Sequence, residues 1–129
     1  PLLAEIFSAE VARIVLAVSN DILPLGTTRE ARYGIYLNHV RDVIRGDIAV
    51  FIVKLSDFVD NAVGLYHNDF GANREKIVGM ATKYLPVVPV FETELHVLKS
   101  EIDLEESVII QMFQHLTDAR ARLTAIIRL

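Results

Sequence analysis

The sequence predicts an all-α helical bundle. Apolar residues recur along it at spacings of three and four, the period of a helix with one buried face. Six glycines and four prolines punctuate these runs, and helix-capping residue types stand before several of them. No alternating apolar and polar pattern lasts long enough to specify a strand.

The elements follow in order. Ser8 is placed to cap a first helix running to about Ser19, with Val11, Ile14, Val15 and Val18 on one face. Ser19-Asn20-Asp21 and Pro24-Leu25-Gly26 read as a loop. Thr27 and Glu30 have the spacing of a capping box and open a second helix to about Ile44. Tyr33, Tyr36, Leu37, Val40 and Ile44 form its apolar stripe. Arg45-Gly46 ends that helix, and Asp47 caps the next.

The third helix, about Ile48 to Tyr66, is apolar nearly all round, which predicts a central position surrounded by other helices. His67 to Asn73 reads as a loop and about Arg74 to Leu85 as a fourth helix. Pro86-Val87-Val88-Pro89 breaks the chain, with Pro89 suited to the first turn of a fifth helix to about Lys99. Asp103 and Glu106 resemble a capping box for a last helix to the terminus. Glu105 and Glu106 at its start and Arg120, Arg122 and Arg128 toward its end complement the helix dipole. No repeat, low-complexity tract or linker interrupts the 129 residues, so a single helical domain is expected, with a C-terminal helix over 103–129.

Composition narrows the function. With 52% hydrophobic residues the chain can bury a core. A net charge of −4 argues against DNA or RNA as partner, which would require a basic face. The absence of cysteine excludes disulfides, thiolate metal sites and cysteine nucleophiles within these residues, and fits a cytoplasmic location. The longest charge-free stretch, Ser107 to Thr117, has 11 residues, too few for a membrane span.

Chemistry is concentrated in the third helix. Lys54, Asp57 and Asn61 are spaced by three and four and share a face, with Asp60 beside them. Their neighbours Phe51, Leu55, Phe58 and Val59 are apolar, so Asp57 is expected to be partly buried and to need a cation, a hydrogen-bond network or a proton. Two readings fit this spacing. In one, Lys54 and Asp57 are an intrahelical pair with Asn61 a polar neighbour. In the other, Asp57 is a ligand for a hard divalent metal and Asn61 meets a bound substrate.

Val53-Lys54-Leu55-Ser56-Asp57, followed by Asn61 and Leu65, resembles the K-L-A-D-x-x-x-N-x-x-x-L signature of HD-domain phosphohydrolases. The nearest branch is the RelA/SpoT-type guanosine polyphosphate pyrophosphohydrolases and their small relatives. Residues 6–15 resemble that family's F-G-x-E-V-A-x-L-V helix, and Lys83-Tyr84-Leu85-Pro86 its Y-A-P-L segment. The likeness covers about residues 2–95. It implies a helical HD-type domain with one divalent metal, commonly manganese, and a nucleotide substrate such as guanosine tetraphosphate. Asp57 matches the last metal-binding Asp, Asn61 the Asn near the nucleotide, and Lys54 the Lys that supports the site.

The departures are as informative. The family's His and His-Asp metal ligands and its acidic pair precede the matched region, and no His-Asp dipeptide occurs here. Phe58, Asp60, Val63 and Gly64 stand where long alarmone hydrolases carry polar contacts. Three accounts remain open. The chain is the later part of a complete HD enzyme, with the acid–base and metal-binding half outside these residues. It is a degenerate homologue, a non-catalytic helical module whose uncovered apolar face takes a protein partner or a second copy. Or it is an unrelated helical bundle with the same pattern.

The other residues are weaker candidates. His39, His67, His96 and His115 show no zinc spacing. His67 and Asp69 are placed to line a cleft mouth after the signature helix. Ser8, Ser19, Ser56 and Ser107 lack a nucleophile elbow, and Gly64, Gly71 and Gly79 do not form a phosphate loop. Tyr33 and Tyr36 are expected in the core.

Overall fold

The computed structural model describes residues 9–18, 23, 25–66 and 70–128. The expected Ser8 cap, the Ser19-Asn20-Asp21 loop, Pro24, His67 and Asp69 lie outside the described residues. Among those described, the chain is all-α. Its helices are α1 (Ala9–Val18), α2 (Arg29–Ile44), α3 (Ile48–Tyr66), α4 (Phe70–Tyr84), α5 (Val88–Glu101) and α6 (Glu106–Ile127), with a 3-10 turn at Leu85–Val87. None is long and apolar enough to cross a membrane. Two compact units are formed, Pro1–Lys54 and Leu55–Leu129, and the division falls within α3.

In the first unit α1 packs against α2. Thr28 rather than Thr27 caps α2, its Oγ1 accepting from the Ala31 backbone N–H at 3.2 Å. This register places Glu30 at the second helical position, so the expected reciprocal box does not form. Of the predicted α2 stripe, Tyr36, Val40 and Ile44 are buried, whereas Tyr33, expected in the core, and Leu37 are half-buried at its margin. Gly46 ends the element at φ +67°, a conformation costly for any residue with a Cβ.

Asp47 then caps α3. Its carboxylate accepts from the Val50 backbone N–H at 3.2 Å and from the Arg13 guanidinium. The Val50 N–H, with Arg13 beside it, holds the Asp47 carboxyl below its ordinary value near 3.8. A depressed carboxyl stabilises the fold above its unfolded-state pKa, and that contribution fades as pH falls through the folded value. Asp47→Ala is expected to cost about 1 kcal/mol at pH 7, the usual worth of a helix cap. In urea titrations the deficit should shrink below about pH 4. A deficit that stays constant down to pH 2 would remove the ionised cap from this account.

On the predicted apolar face of α1, Ile14 is half-buried and Val11 and Val15 are exposed; Leu16, outside that face, is exposed too. Nor is α3 covered all round, since Ile52 and Val53 are also exposed. Lys54 is buried, at 1% exposure, with Nζ 5.7 Å from the centre of the Tyr36 ring. The ring's negative face attracts the ammonium and the side-chain stem packs as hydrocarbon.

The second unit holds most of the apolar core. Leu55, Phe58, Ala62 and Leu65 line the buried face of α3 there. The Phe58 ring meets Tyr84 edge-on at 6.0 Å and Phe91 at 5.1 Å. In α6 the buried residues Met112, Leu116, Ala119, Leu123 and Ile126 alternate spacings of four and three, as in a helix packed along its length. That helix lies against α4 and α5. A two-pronged Arg120–Glu92 ion pair ties α6 to α5, and this contact raises the Arg120 pKa. Arg120 thus serves a partner on another helix. The cap of α6 is Glu105, without a side-chain hydrogen bond, so the expected Asp103 capping box is not formed.

Candidate functional site

The polar residues of α3 in the second unit lie on the surface. Asp57, Asp60 and Asn61 are all exposed. The expected burial of Asp57 is therefore corrected. The stripe Leu55, Phe58, Ala62, Leu65 takes the buried face, which turns positions 57, 60 and 61 outward. A solvated carboxylate requires no neutralising partner, so burial is no argument for a cation at Asp57.

Asn61 nevertheless belongs to a concave site. A cleft of about 470 Å³ lies between α3 and α4, lined by Asp60, Asn61, Gly64 and Leu65 from one helix. From the other come Asn73, Lys76, Ile77, Met80 and Tyr84. The two helices run antiparallel here, because Phe58 meets Tyr84 while Leu65 and Ile77 share the cleft. Asn73 and Lys76 therefore mark one end and Tyr84 the other, roughly 12 Å apart along α4 at 1.5 Å per residue. Asn73 has φ −129° and ψ 25°, a break that separates the first turn of α4 from the helix beginning at Arg74. The break matches the start expected there.

The lining combines an apolar floor with polar groups of both signs. Leu65, Ile77, Met80 and Tyr84 offer surface for a ring, Lys76 a cation, Asp60 an anion, and Asn61 and Asn73 both donors and acceptors. Among the described residues no hydrogen bond or ion pair engages the side chains of Asp60, Asn61, Asn73 or Lys76. Such a set can bind a polar, ring-bearing anion.

Tyr84 couples the cleft to Asp57. Burial raises the Tyr84 phenol above its ordinary value near 10, and the negative charge of Asp57 raises it further. Asp57→Asn is expected to bring that phenol part of the way back, since burial remains. Absorbance-detected tyrosine titration checks this; an unmoved curve would place Asp57 beyond electrostatic reach of the cleft.

The sequence-predicted residues thus separate. Asn61 lines the cleft, Asp57 acts on its Tyr84 end, and Lys54 belongs to the first unit, buried over Tyr36. Among the described residues no three His, Asp or Glu side chains converge as a metal site requires. Asp57 offers a single carboxylate, which does not by itself fit a catalytic metal. Sequence reasoning missed Asn73 and Lys76, and it treated Tyr84 only as part of a segment. The signal was available in the hairpin: an antiparallel pairing of positions 58 and 84 brings 65 opposite 77. A scan against family models finds no match to this chain, and searches of curated proteins and of solved structures find none.

Proposed function

We propose that the chain is part of an HD-type, metal-dependent phosphohydrolase acting on a nucleotide phosphate or pyrophosphate, with guanosine tetraphosphate as the substrate to test first. The observation that carries this reading is the presence of Asn61, which the resemblance puts beside the nucleotide, in a cleft that also holds Lys76. A cation and an amide beside an apolar floor suit a phosphate joined to a ring system. Asp57 contributes one metal ligand in this reading, and the remaining ligands, together with the acid and base, come from outside these residues. Manganese is the metal to supply.

Gly64 provides the test. It lines the cleft, and a Cβ built on it meets nothing within 4 Å. The Cβ of a larger side chain there finds open space on the cleft wall. Gly64→Leu is expected to weaken guanosine tetraphosphate binding by roughly tenfold or more in calorimetry, because a filled pocket cannot seat the ring. Helicity and melting temperature should not fall, since leucine is the better helix former. Equal binding by both proteins would remove the cleft from the reading.

A second reading, a non-catalytic helical module, is favoured by the exposed Val11, Val15 and Leu16 of α1. It predicts no nucleotide binding in the same calorimetry.

A further inference from the structure

Helix α1 is held differently from the helices it joins. Among its described side chains Ala9, Val11, Arg13, Val15 and Leu16 are exposed and Ile14 is half-buried; none is buried. Within the same unit α2 buries Tyr36, Val40 and Ile44, and α3 buries Val50, Phe51 and Lys54. A short helix in water draws most of its stability from packing an apolar face. With so little of α1 enclosed, a polar contact carries a large share of its attachment.

That contact is made to the start of α3. The Arg13 guanidinium donates to Oδ2 of Asp47, while Oδ1 of the same carboxylate accepts from the Val50 backbone N–H at 3.2 Å. One oxygen thus fastens α1 and the other caps α3. Arg13 stands about 160° around α1 from both Val11 and Val15, at 3.6 residues per turn, so the fastened side is the one away from those valines. The two tasks of Asp47 are separable. Losing the guanidinium leaves the Oδ1 cap in place, and asparagine caps as well as aspartate but brings no charge to Arg13.

We infer that α1 is a releasable strap, fastened at the Asp47 carboxylate, which opens while α2 and α3 stay folded. The inference is independent of what the cleft between α3 and α4 binds. Opening frees Ile14 and uncovers the part of α2 against which α1 packs.

The test is amide hydrogen exchange on the chain and on its Arg13→Met, Asp47→Asn and doubly substituted variants. Methionine has the helix propensity of arginine and no charge or N–H to donate, so the intrinsic stability of α1 is kept. Each single variant is expected to exchange the α1 amides about threefold to fivefold faster, the worth of an exposed ion pair to a locally opening element. Exchange in the α3 segment 50–66 should stay within about twofold of wild type, because both variants keep the cap. The double variant should match the singles, since both substitutions remove one bond. Unchanged α1 exchange in either single variant, or additive effects in the double one, would overturn the fastening. Equal acceleration through α2 and α3 would show that α1 does not open by itself. Wild-type α1 amides that exchange as fast as an unfolded chain would remove the strap altogether.

Discussion

Phe58→Ala is expected to lower the stability of the Leu55–Leu129 unit by about 3–5 kcal/mol, the range for emptying a buried phenylalanine site. Phe58 is fully buried, and its ring contacts both Tyr84 and Phe91. Three terms add. The transfer of the benzyl group from water is lost, a cavity opens, and two ring contacts of about 0.5–1.5 kcal/mol each disappear. The cavity cannot readily collapse, because its walls belong to three helices, α3, α4 and α5, each fixed by further core residues. Phe58→Leu retains much of the volume and should cost no more than about half as much. Urea denaturation of the three proteins measures this. An alanine variant within about 1 kcal/mol of wild type would show that the aromatic cluster is not the centre of the unit.

That cluster also shows what the sequence makes legible. Leu55, Phe58, Ala62 and Leu65 follow helical spacing, and Tyr36, Val40 and Ile44 do so in α2. Local chemistry located the ends of α3 at Ile48 and Tyr66, because Gly46 permits a left-handed backbone and Asp47 supplies a cap. The failures arise where a choice depends on neighbours distant in sequence. Thr27 and Thr28 are equally competent caps by type, and only the register of α2 selects Thr28. Val11, Val15 and Leu16 are apolar, but periodicity reports which residues share a face and not whether anything covers it.

The site divides in the same way. The spacing of Lys54, Asp57 and Asn61 is a property of one helix and could be read directly. Their burial is a property of what packs on that helix. An apolar sequence context suggested a partly buried carboxylate and left the burial of the lysine unaddressed. The carboxylate is exposed and the lysine buried, because a lysine carries a hydrocarbon stem and a cation that an aromatic ring accepts, whereas an aspartate has neither. The cleft needed α4, whose Lys76 and Asn73 carry no motif of their own.

On the phosphohydrolase reading proposed above, Asp57→Ala is expected to abolish manganese-dependent hydrolysis of guanosine tetraphosphate while leaving the fold intact. The two halves of this expectation have different causes. Asp57 is exposed and outside the core stripe, and surface substitutions of that kind usually change stability by no more than about 0.5 kcal/mol. Its carboxylate makes no packing contribution that alanine would forfeit, and alanine is the better helix former. A structural role would therefore appear as lost stability. A functional role would appear as lost turnover at unchanged melting temperature. Asp57→Asn sharpens the distinction, since it preserves shape and removes the charge felt at Tyr84. If charge is the essential property, both variants fall to background release of pyrophosphate. If shape or a neutral hydrogen bond suffices, asparagine rescues the activity. Hydrolysis retained by Asp57→Ala would remove this residue from the reaction. It would leave the cleft, with Asn61 and Lys76, as a binding site alone.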